Sequence, residues 1–179
     1  MAIKKNTSVY GVSELNKVAA VKTGQHFTQY VLDGTDFVTT PAENGMLLVI
    51  DHVAKKIKKA TAVTQLVGLH SSVEKIYENE KGRKHFSVKI GDFNPRVYTL
   101  SVGDVFETNT FQYDDTVYAD FAAIKAAINA TTVFGVAGTN GYIDVKAATT
   151  PTAVVELKAV EAVVLPNGEN GIKWVVAKA

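Results

Sequence analysis

The chain of 179 residues contains no cysteine and only four prolines. The absence of cysteine excludes a disulfide framework, thiolate metal ligands and a cysteine nucleophile, and it suits a protein made in reducing cytoplasm. No window of the sequence approaches the roughly 20 apolar residues that span a bilayer, and no apolar run follows the two lysines near the N-terminus. We therefore expect neither membrane insertion nor secretion.

The chain also lacks an excess of charge of either sign, because 19 basic residues face 18 acidic ones and the net charge is +1. Such a chain has no overall field that would steer it to nucleic acid or to an anionic membrane. Arg83 and Arg96 are the only arginines, and the lysines cluster without interleaved aromatic residues. The sequence therefore predicts no nucleic-acid partner and no membrane partner.

Turn signals and apolar runs make up most of the chain. The Asn-Gly dipeptide, a strong hairpin signal because both residues tolerate positive φ, occurs at residues 44–45, 140–141, 167–168 and 170–171. Between the turns lie strand-like runs rich in β-branched and aromatic residues. These runs are FTQYVL, MLLVID, FSVKI, RVYTLSV, DVFETNTF, YIDVKA, AVVELKAVEAVVL and IKWVVA. We expect a mainly β fold, a β-sandwich or β-barrel-like structure, with Trp174 as a core anchor.

One segment has the periodicity of a helix. Apolar side chains at positions 117, 121, 124 and 128 recur at helical spacing, and residues 114–116 are candidates for the N-cap. This pattern predicts an amphipathic helix near residues 115–130. We expect a β-rich main domain over residues 1–130 that ends in this helix, and a C-terminal β-hairpin region or small subdomain over 131–179, although a single domain fits as well.

The run VIDHVAKKIKKATAV, residues 49–63, fits either a helix or a hairpin. Val53, Ile57 and Ala60 suit a helix, whereas the apolar run before them and the alternation after them suit two strands. We favour the hairpin, with its turn near residues 52–55.

The side chains that could carry chemistry are scattered. The four histidines, His26, His52, His70 and His85, include no pair four residues apart that would place two imidazoles on one metal. No Gly-X-Ser-X-Gly elbow surrounds a serine, and the glycine-rich stretch 135–141 precedes a strand rather than a phosphate-binding helix. We expect no catalytic residue, no metal and no cofactor, and thus no enzyme, although distant residues such as His70, Asp92 and Glu107 could still meet in space.

Two acids, Asp104 and Glu107, stand in the stretch RVYTLSVGDVFETNTF, residues 96–111. They could be paired catalytic carboxylates or parts of a turn. If the stretch is strand, turn, strand, then Gly103 supplies a permissive backbone, Asp104 bonds a neighbouring amide and Glu107 faces the opposite way. The sequence therefore predicts a structural turn at Gly103 and Asp104.

Lysines form the strongest local charge feature. A cluster between residues 55 and 59 would serve either as a solvated edge that discourages strand pairing or as a patch that faces an acidic partner. The predicted partner-contact residues are Lys4, Lys5, Lys55, Lys56, Lys58 and Lys59.

The stretch 96–111 resembles a segment of small structural proteins that tailed bacteriophages encode near the major capsid gene. The matching positions are Arg96, Tyr98, Leu100, Gly103, Asp104 and Phe106. The segments VEKIYENEKGRKHFSV, residues 73–88, and VVLPNGENGIKWVVAKA, residues 163–179, are also similar to these head-decoration or auxiliary capsid proteins. The resemblance implies a non-enzymatic virion protein, made in the host cytoplasm and bound in many copies to the outside of an icosahedral shell.

The partners in such an assembly would be the major capsid protein, copies of the chain itself, or both. A role of this kind would let residues 1–12 lie as an arm on a neighbouring subunit. We then expect that deletion of residues 1–12 abolishes capsid binding and leaves the fold intact.

Two other functions fit the same sequence. A tail-tube protein, or another tail or neck part of the virion, is also a small β-barrel with a helix, and a tube protein would polymerise into stacked rings. A carbohydrate-binding β-sandwich would expose aromatic side chains such as Tyr113, Tyr118 or Tyr142 to sugar rings.

Overall fold

The protein is described here by a computed structural model that covers residues 2–13, 26–73 and 83–179. These residues form two β-sheets and one α-helix, which confirms the expected mainly β, sandwich-like fold. Residues 74–82, which belong to the second segment that carries the phage resemblance, lie outside the described residues.

The strands of the described residues are β1 (Ile3–Lys5), β2 (His26–Phe27), β3 (Val31–Leu32), β4 (Leu47–Asp51), β5 (Lys56–Lys59), β6 (Gly68–His70), β7 (Val97–Thr99), β8 (Val105–Thr108), β9 (Phe111–Asp114), β10 (Phe134–Ala137), β11 (Ile143–Lys146), β12 (Glu156–Val164) and β13 (Asn170–Lys178). The helix α1 is Phe121–Ala130, and a 3-10 turn covers Arg83–His85. Sheet A has the strand order β1-β9-β11-β10-β12-β13-β8, and sheet B has the order β2-β7-β6-β4-β5-β3. Neighbouring strands are antiparallel except for the pairs β9–β11 and β3–β5.

The main core lies on the inner face of sheet A. Trp174 of β13 is fully buried, as predicted, and pairs with Phe106 of β8 on one side and Ala159 of β12 on the other. Residues paired directly across strands share one face of a sheet, so these three side chains define the inner face. Leu47 and Leu69 of sheet B and Ile124 of α1 complete the same cluster.

A second core lies on the opposite face of sheet B. Leu48 and Ile57 point away from sheet A and pack in a cluster with Phe37, Phe86 and Val88 from the connecting segments. Because side chains alternate along a strand, β4 supplies Leu47 to one core and Leu48 to the other. Sheet B therefore contributes buried side chains to both cores.

The hairpin interpretation of residues 49–63 is confirmed, because β4 and β5 pair antiparallel around a turn at residues 52–55. The Asn-Gly pairs at 140–141 and 167–168 also form the predicted hairpins, where Gly141 and Gly168 have φ of 91° and 80°. The pair at 170–171 lies inside β13, so the prediction of a turn there is wrong. The turn between β12 and β13 is formed at Gly168, before β13 begins, so Gly171 lies within the strand and pairs with Val163.

Three predicted strands are interrupted. FTQYVL divides into β2 and β3, and DVFETNTF divides into β8 and β9. FSVKI contributes an isolated bridge, in which Val88 pairs with Ala42 through backbone hydrogen bonds of 2.8 and 2.9 Å. Its apolar side chains serve the second core rather than a regular sheet face, which explains why composition alone predicts a strand there.

The helix exists but begins later than residue 115. Its N-cap is Asp120, whose Oδ1 accepts a hydrogen bond of 2.9 Å from the Ala123 amide. Asp114 instead closes a preceding turn by accepting hydrogen bonds from the amide and the hydroxyl of Thr116. Val117, which fits the helical period, is 53% exposed and lies outside the helix. The division of domains at residue 130 stays a prediction, and sheet A takes strands from both sides of it.

Candidate interaction surface

The stretch around Gly103 and Asp104 forms a tight turn that enters β8. Gly103 has φ of 94° and donates its amide to the Val176 carbonyl at 2.9 Å. Asp104 is buried, and its Oδ2 accepts a hydrogen bond of 2.8 Å from the Ser101 amide. Both predicted turn residues therefore stabilise the backbone of the turn, Gly103 through its positive φ and Asp104 through its side-chain hydrogen bond.

Glu107 lies on the outer face of sheet A, opposite to the core side chain of Phe106. Its Oε1 is 4.0 Å from the Lys173 ammonium of the neighbouring strand β13. Lys173 is also in register with Glu161 of β12. A row of acid, base and acid therefore crosses three strands of the outer face, which we call the charge ladder (Glu107, Lys173, Glu161).

An open depression of about 830 Å³ contains the charge ladder, and we call it the outer groove. Its apolar lining consists of Val105, Ala162, Val163 and Val164. Val164 is 69% exposed. The groove thus combines an apolar wall with two carboxylates and one ammonium group.

A smaller depression of about 370 Å³ adjoins the outer groove at residues 162–164 and reaches α1, where it adds Phe121 and Lys125. The C-terminal half of β12 therefore forms a ridge between two depressions. Pairing with β10 ends at Lys158, so one side of this ridge faces the helix instead of a strand.

The six predicted partner-contact lysines lie at two places. Lys58 is engaged within the chain, because its ammonium group is 2.8 Å from Asp51 Oδ2. The hydrogen bond and the charge of this pair raise the pKa of Lys58, and the same hydrogen bond is the main cause of the lowered pKa of Asp51. This ion pair joins β4 to β5 near their turn.

Lys59 is also engaged within the chain. Its ammonium group donates to the Asp36 carbonyl at 2.7 Å and to the Thr40 hydroxyl at 2.6 Å, and it lies 4.9 Å from the centre of the Phe37 ring. Burial lowers the pKa of Lys59. Lys58 and Lys59 thus have internal partners, and a role for them in contacts with another protein stays a prediction.

Lys55 and Lys56 flank the turn of the same hairpin. Lys55 is exposed, has φ of 54°, and makes no ion pair with the described residues. Val53 at the centre of the turn is 96% exposed, the highest value among the exposed large apolar residues described. We call residues 52–55 the hairpin tip.

Lys4 and Lys5 lie on β1 at the edge of sheet A, where β1 pairs with β9. Lys4 donates to the Ala119 carbonyl at 3.4 Å, and Lys5 lies 4.1 Å above the ring of Tyr142. Both residues are exposed. Residues 2–13 therefore lie on their own chain rather than extending from it as an arm.

A buried polar centre, which the sequence does not reveal, joins the N-terminal segment to both sheets. Glu43 Oε2 accepts hydrogen bonds from the Tyr142 hydroxyl at 2.5 Å and from the Gly11 amide at 2.6 Å. Burial is the main cause of the raised pKa of Glu43, and burial also raises the pKa of Tyr142. These residues are about 30 to 130 positions apart, so no local motif points to them.

The same centre contains a serine and a histidine at hydrogen-bond distance. His70 Nε2 is 2.9 Å from Ser72 Oγ, and its Nδ1 is 2.8 Å from the Glu43 carbonyl. A carbonyl only accepts, so Nδ1 carries the proton and Nε2 accepts from Ser72. Both side chains are buried, at 0% and 1% exposure. Asp92, by contrast, accepts from the Lys89 amide in a surface turn.

The aromatic side chains considered for sugar binding are turned inward. Tyr142 is 1% exposed and Tyr118 is 6% exposed, and Tyr113 packs against the main core. The expectation that Tyr118 or Tyr142 is exposed is therefore wrong, and Tyr113 is half-buried. Tyr113 shares the inward parity of Phe111 on β9, and Tyr118 lies in the turn before α1 and joins the main core. Tyr142 directly precedes β11 and lies in the second core.

Comparisons of the chain with protein-family models, with curated proteins and with solved structures gave no match. Within residues 2–13, 26–73 and 83–179, no group of three or more His, Asp or Glu side chains could hold a metal ion. The same residues contain no helix of the length and apolarity needed to cross a membrane.

Proposed function

We propose that this chain is a non-enzymatic structural protein of a bacteriophage virion that decorates the shell formed by the major capsid protein. The observation that carries the proposal is the distribution of its exposed apolar and charged groups. The hairpin tip of sheet B exposes Val53 beside Lys55, and the outer groove of sheet A exposes Val164 and Glu161, so two separate surfaces each combine apolar and charged groups. The resemblance of residues 96–111 to phage head-decoration proteins supports the same function.

The buried polar groups of the chain fit a scaffold role. Glu43, His70, Ser72 and Tyr142 bond to one another or to backbone groups of neighbouring segments. Buried networks in which every polar group has a partner fix one arrangement of a core. Removal of one partner leaves another buried group without a hydrogen bond, which lowers the free energy of unfolding by about 1–3 kcal/mol. The polar centre therefore serves rigidity, which a decoration protein needs.

A decoration protein works through many weak contacts. When one copy bridges neighbouring shell subunits, each contact raises the effective concentration for the next, and a modest interface suffices. The exposed lysines Lys4 and Lys5 of β1 supply groups that can meet an acidic shell surface.

The test is co-sedimentation of the purified, tag-free protein with shells that lack it, with stoichiometry measured by quantitative mass spectrometry. We expect saturable binding at one copy per major capsid subunit, or one trimer per three-fold position, and weaker binding at high salt. The variant K4E should bind less, whereas K89E reverses an exposed lysine outside the predicted set and serves as the control. Absence of binding at every salt concentration would reject the decoration role.

A tail-tube or other tail protein is the second candidate. The observation in its favour is that the hairpin tip of sheet B and the outer groove of sheet A are two different surfaces, and contacts between different surfaces of identical copies build head-to-tail rings. Rings or tubes formed by the purified protein alone, without binding to shells, would support this candidate. The two outcomes are separated by negative-stain electron microscopy of the same samples.

A further inference from the structure

We propose that the hairpin tip of one copy docks in the outer groove of a second copy, so that copies of the chain bind one another head to tail. The role of this contact in a many-copy assembly rests on the proposed function, but the contact itself can form between copies of the purified protein without shells. It assigns Lys55 and Lys56 to a copy-to-copy contact and leaves Lys4 and Lys5 available to the shell.

The hairpin tip is a rigid apolar knob with positive charge beside it. Asp51 Oδ1 accepts hydrogen bonds from the amides of Val53 and Ala54 at 3.0 and 2.8 Å, and Asp51 Oδ2 holds Lys58. The turn is therefore fixed before it meets a partner, and a preorganised segment loses little entropy on binding. At its centre Val53 is 96% exposed, with Lys55 and Lys56 beside it.

The outer groove offers the complementary features. Its wall of three valines and an alanine is apolar, and the charged side chains among its described lining residues are those of Glu107, Glu161 and Lys173. Glu161 is exposed, whereas Glu107 is buried beside Lys173. An apolar knob with lysines thus meets an apolar groove with an accessible carboxylate, and such complementarity selects both partner and orientation.

The tip and the groove of one chain cannot meet each other. The hairpin belongs to sheet B, which packs on the inner face of sheet A, whereas the charge ladder lies on the outer face of sheet A. The contact therefore has to join two copies. Because it uses a different surface on each copy, it is heterologous and continues from copy to copy as a ring or an open chain.

We expect the contact to be weak in dilute solution. A stable interface buries about 800 Å² on each partner, and a four-residue tip covers far less. Copies held side by side in an assembly have a high effective concentration, and under that condition a weak contact forms.

The absence of cysteine allows a direct test by disulfide cross-linking. The variant V53C/V163C places one thiol on the tip and one in the groove, and mild oxidation of the concentrated protein should give a ladder of dimers, trimers and higher species. The control V38C/V163C moves the first thiol to Val38, another apolar residue with high exposure, 71%, outside the tip. A ladder no longer than that of the control would overturn the proposal.

Charge exchange in the V53C/V163C protein tests the orientation. K55E alone and E161K alone should each slow ladder formation by at least about fivefold, and the combination K55E/E161K should restore it. Slowing by the single changes without restoration by the pair, or no slowing at all, would overturn the assigned pairing.

Because the assay contains no shells, a failed ladder with normal shell binding rejects this contact alone, and a normal ladder without shell binding rejects the decoration role alone.

Discussion

At the residue scale, His70 shows how burial changes the pKa of a titratable side chain. The side chain is fully buried, and burial lowers its pKa from an ordinary value of 6.5 to about 4. Both ring nitrogens have partners that suit the neutral ring, since Nδ1 donates to the Glu43 carbonyl and Nε2 accepts from Ser72. Protonation would place a charge in the polar centre and remove the acceptor that Ser72 uses.

This arrangement predicts a loss of stability in mild acid. Between pH 6.5 and pH 4 the unfolded chain binds a proton at His70 that the folded chain does not bind, so the free energy of unfolding falls as the pH falls through this window. The full shift corresponds to about 3 kcal/mol at its acid end. Urea unfolding of the wild type and of H70Q at several pH values checks the prediction, and the slope of stability against pH should be smaller in H70Q.

A second histidine supplies the control for that measurement. H85Q removes an exposed imidazole outside the polar centre and shows what the loss of a histidine does by itself. Glu43 adds a term of opposite sign, because a raised carboxyl pKa means that the folded state binds a proton more readily. This term is common to all three proteins. Equal slopes in the wild type and H70Q would contradict the assignment of the window to His70.

At the scale of the element, the position of the N-cap of α1 determines which aspartate should matter more for stability. Asp120 caps the helix through the Ala123 amide, whereas Asp115 lies before the helix and accepts from the Ala2 amide at the surface. Replacement of an N-cap aspartate by alanine costs about 1 kcal/mol. We expect D120A to lower the free energy of unfolding by this amount and D115A to lower it less, as measured by urea unfolding at neutral pH. A larger effect of D115A would indicate a helix that begins near residue 115.

Strands and hairpins were predictable where the local signal is strong. Gly141 and Gly168 stand in turns that need positive φ, and the alternation in β13 places Trp174 in the core. The beginning of α1 was not predictable, because Val117 continues the helical period although it lies in a local turn before the helix, where its amide donates to the Asp114 carbonyl. FSVKI likewise has strand composition, but its apolar side chains are used by the second core.

The candidate surface was predictable only in part, for a physical reason. Lysine clusters are visible in a sequence, and two of the four lysines between residues 55 and 59 remain without an internal ion pair or hydrogen bond among the described residues. The charge ladder and the outer groove arise from the register of β8, β12 and β13. Register depends on pairing between distant residues, so a local pattern does not contain it.

At the scale of the whole molecule, the N-terminal segment is part of the layered core. β1 covers the edge of β9, and the amides of Gly11 and Val12 donate to Glu43 and Asn109, each at 2.6 Å. Val12 is completely buried. The expectation that residues 1–12 can be removed without harm to the fold therefore conflicts with these contacts.

Deletion of residues 1–12 should lower the free energy of unfolding by about 3 kcal/mol or more, because it leaves the buried carboxylate of Glu43 and the side chain of Asn109 without amide donors. Deletion of residues 1–5 removes β1 but keeps Gly11 and Val12, and it should cost less. Urea unfolding of the two shortened proteins and the full chain gives this order directly. An unchanged unfolding midpoint for the longer deletion would show that the segment is a detachable arm, and loss of shell binding could then be attributed to a direct contact. With the fold weakened instead, shell binding has to be tested by K4E, which leaves the contacts of Gly11 and Val12 in place.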